Sequence, residues 1–267
     1  MTVDDDTEHN DPAGRAYWNR QYYDNMAFYF WEPQHIGRTR DPETRIRTEA
    51  EAVAKLKTLE VVLNHQMELF FRLAPDDFVC RLFQAAFGGD VEDRYRIVGR
   101  EFHKAFAVAG LTQPDLLFQG EASTVAIELK LAAKTSLEQV IKYACLFSLM
   151  PPVSGMRGLL FMGPRNFARL WRERFADADA VRTALGAVAA EALSPRLRRF
   201  LNARETGLHQ LLPGIRIGFM SYADLHEHLA AEARRGPHHQ SWTRLLAGMM
   251  AELEERQLAR SGLEALP

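Results

Sequence analysis

Residues 113–131 read QPDLLFQGEASTVAIELKL, and this stretch decides the fold. Residues 116–118 are apolar, residues 120–123 form a polar break containing Gly120, and residues 124–127 return to β-branched and apolar types. Two such runs around a short polar break predict a β-hairpin. With residues 120–123 as the loop, Gln119 pairs with Thr124, Asp115 lies opposite Glu128, and Gln113 lies opposite Lys130. Side chains alternate along a strand, so Glu128 and Lys130 share one face while Leu129 points to the other. Directly opposed residues also share a face, with Cβ atoms about 4.5–5.5 Å apart. Residues Val125, Ile127, Leu129 and Leu131 therefore predict a core face, and the opposite face is expected to carry the charges.

Two carboxylates held face to face repel unless a cation lies between them. Magnesium suits such a place, because it takes oxygen ligands and is usually held by one or two carboxylates with water and phosphate completing its shell. A neighbouring lysine can stabilise charge that develops during attack on a phosphoryl group, or orient the attacking water. The plainer reading is a surface hairpin with an ordinary Glu-x-Lys pair.

The pattern Pro114-Asp115 followed by Glu128-Leu129-Lys130 resembles the PD-(D/E)xK nuclease superfamily. A helix carrying Gln-x-x-x-Tyr often follows in that family, and Gln139 and Tyr143 stand at that spacing in TSLEQVIKYACLF. The resemblance covers residues 60–160 and implies a restriction-endonuclease-like core, a small mixed β-sheet flanked by helices. It also implies that Asp115, Glu128 and the carbonyl of Leu129 bind Mg²⁺, with Mn²⁺ as a substitute, and that Lys130 assists the attacking water. Gln139 and Tyr143 would lie near the substrate strand or organise the site. The implied activity is hydrolysis of phosphodiester bonds in nucleic acid, DNA ahead of RNA, as used in restriction, repair or defence. A homodimer would suit an enzyme that cuts both strands. The alternative is a nuclease-fold protein without catalysis that binds nucleic acid or a partner protein.

Family members often add an acid from a helix ahead of the Pro-Asp strand. The choice here is Glu60 or Glu68, with Asn64 between them on a broad stripe of one predicted helix. Glu68, among the bulky residues of LNHQMELFFRL, is the expected acid; its other reading is an intrahelical pair with Arg72. Ser136 and Gln139 also fit a capping box, a second use for Gln139. Packing against the sheet is a second use for Tyr143.

Net charge is −2, yet it is unevenly spread: residues 157–204 hold ten arginines against four acids. Arg165, Arg169 and Arg172 fall at helical spacing and are expected to meet phosphate, the ligand that an arginine fork suits. Each could equally belong to a solvated helix face.

Hydrophobic content of 47% and charged content of 25% are those of a globular protein, and the two cysteines, Cys80 and Cys145, cannot build a zinc cluster. The polar, acidic beginning does not resemble a secretory signal, so a cytoplasmic protein without a membrane span is expected. Residues 1–14 read as a disordered acidic tail and 15–267 as a single α/β domain with helical additions at both ends. Residues 15–35 are rich in aromatic side chains, which could stack bases but more naturally cover a hydrophobic face. A long helix is predicted from Asp41-Pro42 to Leu73, then a helix over 77–87 and a strand over 94–98; residues 101–109 are ambiguous. Beyond the motif helix, strands are predicted over 158–162 and 215–220, with helices in 165–204, from Ser221 to Ala233 and over 240–260. His226-Glu227-His228 is a poor zinc site, because alternate helical residues point about 200° apart.

Overall fold

The computed structural model describes residues 18–30, 48–89, 93–98, 111–131, 133–151, 153–205 and 207–259. The acidic tail, the helix start at Asp41-Pro42 and the ambiguous stretch 101–109 lie outside the described residues.

The hairpin forms in the expected register. Strands β2 (Leu116–Gln119) and β3 (Thr124–Leu129) are antiparallel, with Gln119 opposite Thr124 and Leu116 opposite Ile127. The loop closes through the Gly120 amide on the Ser123 carbonyl. The Asp93 carboxylate accepts the amides of Glu121, Ala122 and Ser123 at 2.8–3.0 Å. Strand β1 (Arg96–Ile97) adds to β2, shorter than expected, while β4 (Arg157–Gly163) and β5 (Ile215–Ser221) join β3 in parallel. The sheet is mixed, in the order β1-β2-β3-β4-β5.

Eleven α-helices surround it among the described residues. They are α1 (Trp18–Phe30), α2 (Glu49–Thr58), α3 (Glu60–Leu73), α4 (Asp76–Phe87), α5 (Leu137–Leu149), α6 (Phe167–Leu170), α7 (Ala178–Gly186), α8 (Pro195–Ala203), α9 (Leu208–Leu211), α10 (Tyr222–Ala233) and α11 (Gln240–Glu255). Local signals mark several boundaries. Gly88, at φ 70°, ends α4, and Ser221 with Asp224 forms a capping box at the start of α10.

The expectation that one face of the hairpin is core while the other carries charge needs correction. Every residue of β3 is buried. Val125, Ile127 and Leu129 pack with α3, α4, α10 and α11, while Ala126 on the other face packs with α5, α7 and α8. Parallel crossovers explain this: a connection that joins parallel strands lays helices over the sheet, and central strands lose their solvent face.

The predicted long helix is also corrected. It is broken at Leu59, whose extended backbone (φ −85°, ψ 126°) separates α2 from α3. The aromatic stretch forms α1 and covers other helices: Tyr23 is buried, the Trp18 indole donates to the Leu245 carbonyl at 3.2 Å, and the Tyr22 hydroxyl meets His65 at 2.8 Å. Both cysteines are free thiols. No helix among the described residues is long and apolar enough to cross a membrane.

Candidate active site

The site forms at the end of β3, where the hairpin, α3 and α5 meet. Asp115 immediately precedes β2, and its Oδ2 accepts the Leu129 amide at 2.7 Å. That bond anchors the carboxylate to the neighbouring strand one residue beyond Glu128. Asn64 of α3 donates from Nδ2 to the other oxygen, Oδ1, at 2.5 Å.

Glu128 is 5% exposed and needs partners, since burying an uncompensated carboxylate costs several kcal/mol. Lys130 supplies one, with Nζ 2.6 Å from Oε1. The Tyr143 hydroxyl donates to Oε2, and the Gln139 amide nitrogen lies 3.5 Å from Oε1 and 3.1 Å from the Thr112 hydroxyl. Gln139 and Tyr143, one helical turn apart on α5, thus both reach the Glu128 carboxylate. The capping-box reading of Gln139 is not observed: Ser136 makes no side-chain cap bond, and the Gln139 side chain turns to the sheet. Tyr143 does both things expected of it, packing in the core and touching the site.

The electrostatics follow from this crowding. Burial first, and then the charge of Glu128, push the Asp115 carboxyl up to about 7, against the opposing pull of the Leu129 amide and Lys130. Burial lowers the Lys130 ammonium, but the charges of Glu128, Glu60 and Asp115 outweigh it and hold the pKa above its ordinary value. Burial and the neighbouring Glu128 and Asp115 charges also raise the Tyr143 phenol. Tyr222, the first residue of α10, is buried within the field of Glu60 and Asp115, and its phenol is likewise raised.

Glu68 does not join this group. Its carboxylate pairs with Arg72 one turn on, at 2.6 Å on the outer side of α3. Glu60 is the acid that reaches the site region, its Oε2 accepting the Leu131 amide at 3.1 Å. Sequence reasoning weighed Glu60 and preferred Glu68, noted Asn64 only as lying between them, and missed Thr112 and Tyr222. For Glu60 and Asn64 a signal existed: the two lie at i,i+4 on one face, whereas Glu68 has a ready intrahelical cation in Arg72.

The three arginines do not form one helical stripe. Helix α6 is a single turn, so Arg165 precedes it and Arg172 follows it. Arg165 pairs with Glu227 at 3.0 Å. Arg169 and Arg172 are exposed. The Arg172 amide donates to the Thr135 carbonyl, which fastens this segment to the loop between β3 and α5. His226, from the poor zinc pattern, is engaged with Glu254, and His238 meets the Glu232 carbonyl.

Among the described residues, no group of three or more His, Cys, Asp or Glu side chains is arranged to hold a metal ion. The donors that are present fit a hard cation nonetheless. Asp115 and Glu128 are two carboxylates with the Lys130 ammonium on Glu128, and burial, followed by the charge of Glu128, raises the Asp115 carboxyl. One or two protein carboxylates suffice for magnesium, which keeps water in its remaining positions. Comparison of the chain with protein-family models, curated proteins and solved structures finds no match.

Proposed function

We propose that this protein is a metal-dependent nuclease of the PD-(D/E)xK type, with a restriction-endonuclease-like core, hydrolysing phosphodiester bonds in DNA. One observation carries the reading: Asp115, Glu128 and Lys130 converge at the end of β3, with Asp115 raised to about 7 by burial and by the charge of Glu128. Two buried acids at one place suit a hard cation, and an adjacent lysine serves chemistry on a phosphate.

In this reading Asp115, Glu128 and the Leu129 carbonyl hold Mg²⁺ or Mn²⁺, with Glu60 beside them as the helix acid. The metal, when bound, polarises a phosphoryl oxygen and acidifies water. Lys130 donates hydrogen bonds that orient the attacking water and stabilise charge developing on the phosphoryl oxygens. Tyr143 and Gln139 fix the Glu128 carboxylate, and Asn64 with the Leu129 amide fixes Asp115. Arg169 and Arg172 are exposed, the Arg172 amide is bonded to the loop after β3, and in this reading both side chains hold backbone phosphates.

A second reading, a non-catalytic binder of nucleic acid or protein, draws on Glu128 being already engaged by Lys130, Tyr143 and Gln139. Cleavage of labelled linear, circular and single-stranded DNA with Mg²⁺, Mn²⁺ or EDTA separates the two. The nuclease reading expects metal-dependent cleavage that falls about 10²–10³-fold in Lys130→Ala, the range for loss of one preorganised donor. Binding of DNA without cleavage, unchanged by Lys130→Ala, would favour the binder.

A further inference from the structure

We propose that Arg256, just past α11 and close to the C-terminal end of the described chain, is the positioning residue that aims Glu60 into the site. The inference rests on the reading of Glu60 as the helix acid of that site.

The starting point is a break with neither glycine nor proline at it, beside the local bond of the Thr58 hydroxyl to the Lys55 carbonyl at 2.7 Å. Residues 49–73, EAEAVAKLKTLEVVLNHQMELFFRL, contain neither glycine nor proline, and their composition favours an uninterrupted helix. Sharp helix breaks otherwise arise at such residues or where another group enters the hydrogen-bond ladder. Here a guanidinium enters. Arg256 Nη1 donates to the Lys57 carbonyl at 2.5 Å and lies 3.4 Å from the Leu59 carbonyl. The Lys57 carbonyl belongs to the last turn of α2, where an ended helix leaves acceptors free, and the Leu59 carbonyl also accepts the Leu63 amide at the start of α3.

The guanidinium is itself held from three sides. Its Nε is 2.5 Å from Glu252 Oε1, its Nη2 donates to the Tyr23 hydroxyl at 2.7 Å, and that hydroxyl donates to Glu252 at 2.6 Å. Arg256 and Glu252 side chains are 2% and 0% exposed. A buried, triply fixed cation is therefore docked against one joint of the backbone. Only a planar fork with several donors can serve a carboxylate, a phenol and two carbonyls together; an ammonium cannot.

The joint sets where α3 begins, and α3 begins with Glu60. With Leu59 extended, Glu60 takes the Leu131 amide one residue beyond Lys130, and Asn64, one turn on, takes Asp115. Continuing α2 through Leu59 would change the direction of α3 and carry both side chains off the end of β3. Arg256 touches none of the reacting groups and acts through Glu60.

The test compares Arg256→Lys, which keeps a cation for Glu252 and so preserves the fold, with Glu60→Gln and the double variant. Two readouts are used: hydrogen exchange at the Leu131 amide, and Mn²⁺ affinity by calorimetry. Arg256→Lys is expected to speed Leu131 exchange while leaving the β3–β4 amides protected. It is also expected to weaken Mn²⁺ by about tenfold or more, the range for residues that orient metal ligands. The double variant should bind no more weakly than Glu60→Gln alone, because both changes remove one contribution. Wild-type Leu131 exchange in Arg256→Lys, or full additivity with Glu60→Gln, would overturn the inference. If the wild-type protein binds no Mn²⁺, the metal reading fails, and Leu131 exchange alone still decides the role of Arg256.

Discussion

The hairpin and the α2–α3 joint both deliver side chains to one place, and they do so by opposite means. In the hairpin, Asp115 and Glu128 meet because a four-residue loop sets a register that alternation then carries to the strand ends. The register is set within twenty residues of chain, and Asp93 and Asn64 only hold what it brings together. At the joint, Glu60 and Asn64 arrive because Arg256, nearly two hundred residues away, donates to the carbonyls of a helix end that the local composition would have continued. Local order is set by turn chemistry and periodicity, whereas the joint is set by one buried ion pair.

The contrast can be broken most forcefully at Arg256. Arg256→Met leaves Glu252 buried and unpaired, and removing one partner of such a pair costs about 3–5 kcal/mol. Urea denaturation should show a loss of that order. A loss below about 1 kcal/mol, the range of exposed pairs, would mean that the joint does not depend on this contact.

A smaller effect is expected in the hairpin loop. A methyl group at Gly120 would lie 2.2 Å from the Asp93 carboxylate that holds the loop amides. Gly120→Ala must displace Asp93, and overpacking of this kind costs about 1–3 kcal/mol. Thermal unfolding measures it, and wild-type stability would show that the loop closes without Asp93.

The smallest effect sharpens the choice between the two helix acids. Glu68→Ala removes an exposed pair with Arg72 and should change stability by less than about 1 kcal/mol. Its Mn²⁺ affinity should equal that of the wild type, while Glu60→Gln weakens binding. The reverse result would restore Glu68 to the site.

How much was legible in the sequence follows the same division. The α/β class, the hairpin register, and strands β4 and β5 could be read from periodicity and spacing, whereas spacing alone put Gln139 and Tyr143 on one helical face and only the resemblance put them near the site. The burial of both sheet faces could not be read, because it depends on helices that later crossovers lay over Glu128. The choice of Glu60 was legible only in part: its i,i+4 spacing to Asn64 and the Arg72 partner of Glu68 spoke for it, but no glycine or proline announces the break at Leu59 where α3 starts. The arginine stripe failed for a related reason: helical spacing over residues 165–172 was real, but Thr135 pairs with this segment and limits the helix to one turn.

The central claim, that Asp115 and Glu128 form a cation site, is tested most directly by calorimetric titration of Mn²⁺ into wild type and Asp115→Asn at pH 8 and pH 6. The sign follows from the Asp115 carboxyl, raised in the fold from its ordinary 3.8 to about 7. The folded, metal-free protein binds this proton more tightly than the unfolded chain, so its stability falls as pH rises from about 4 to 7. A metal must displace the same proton below pH 7, and affinity should drop about tenfold between pH 8 and pH 6. The account predicts binding at pH 8, that pH dependence, and loss of both in Asp115→Asn. Binding that is independent of pH and unchanged in Asp115→Asn would contradict it, as would no binding at pH 8.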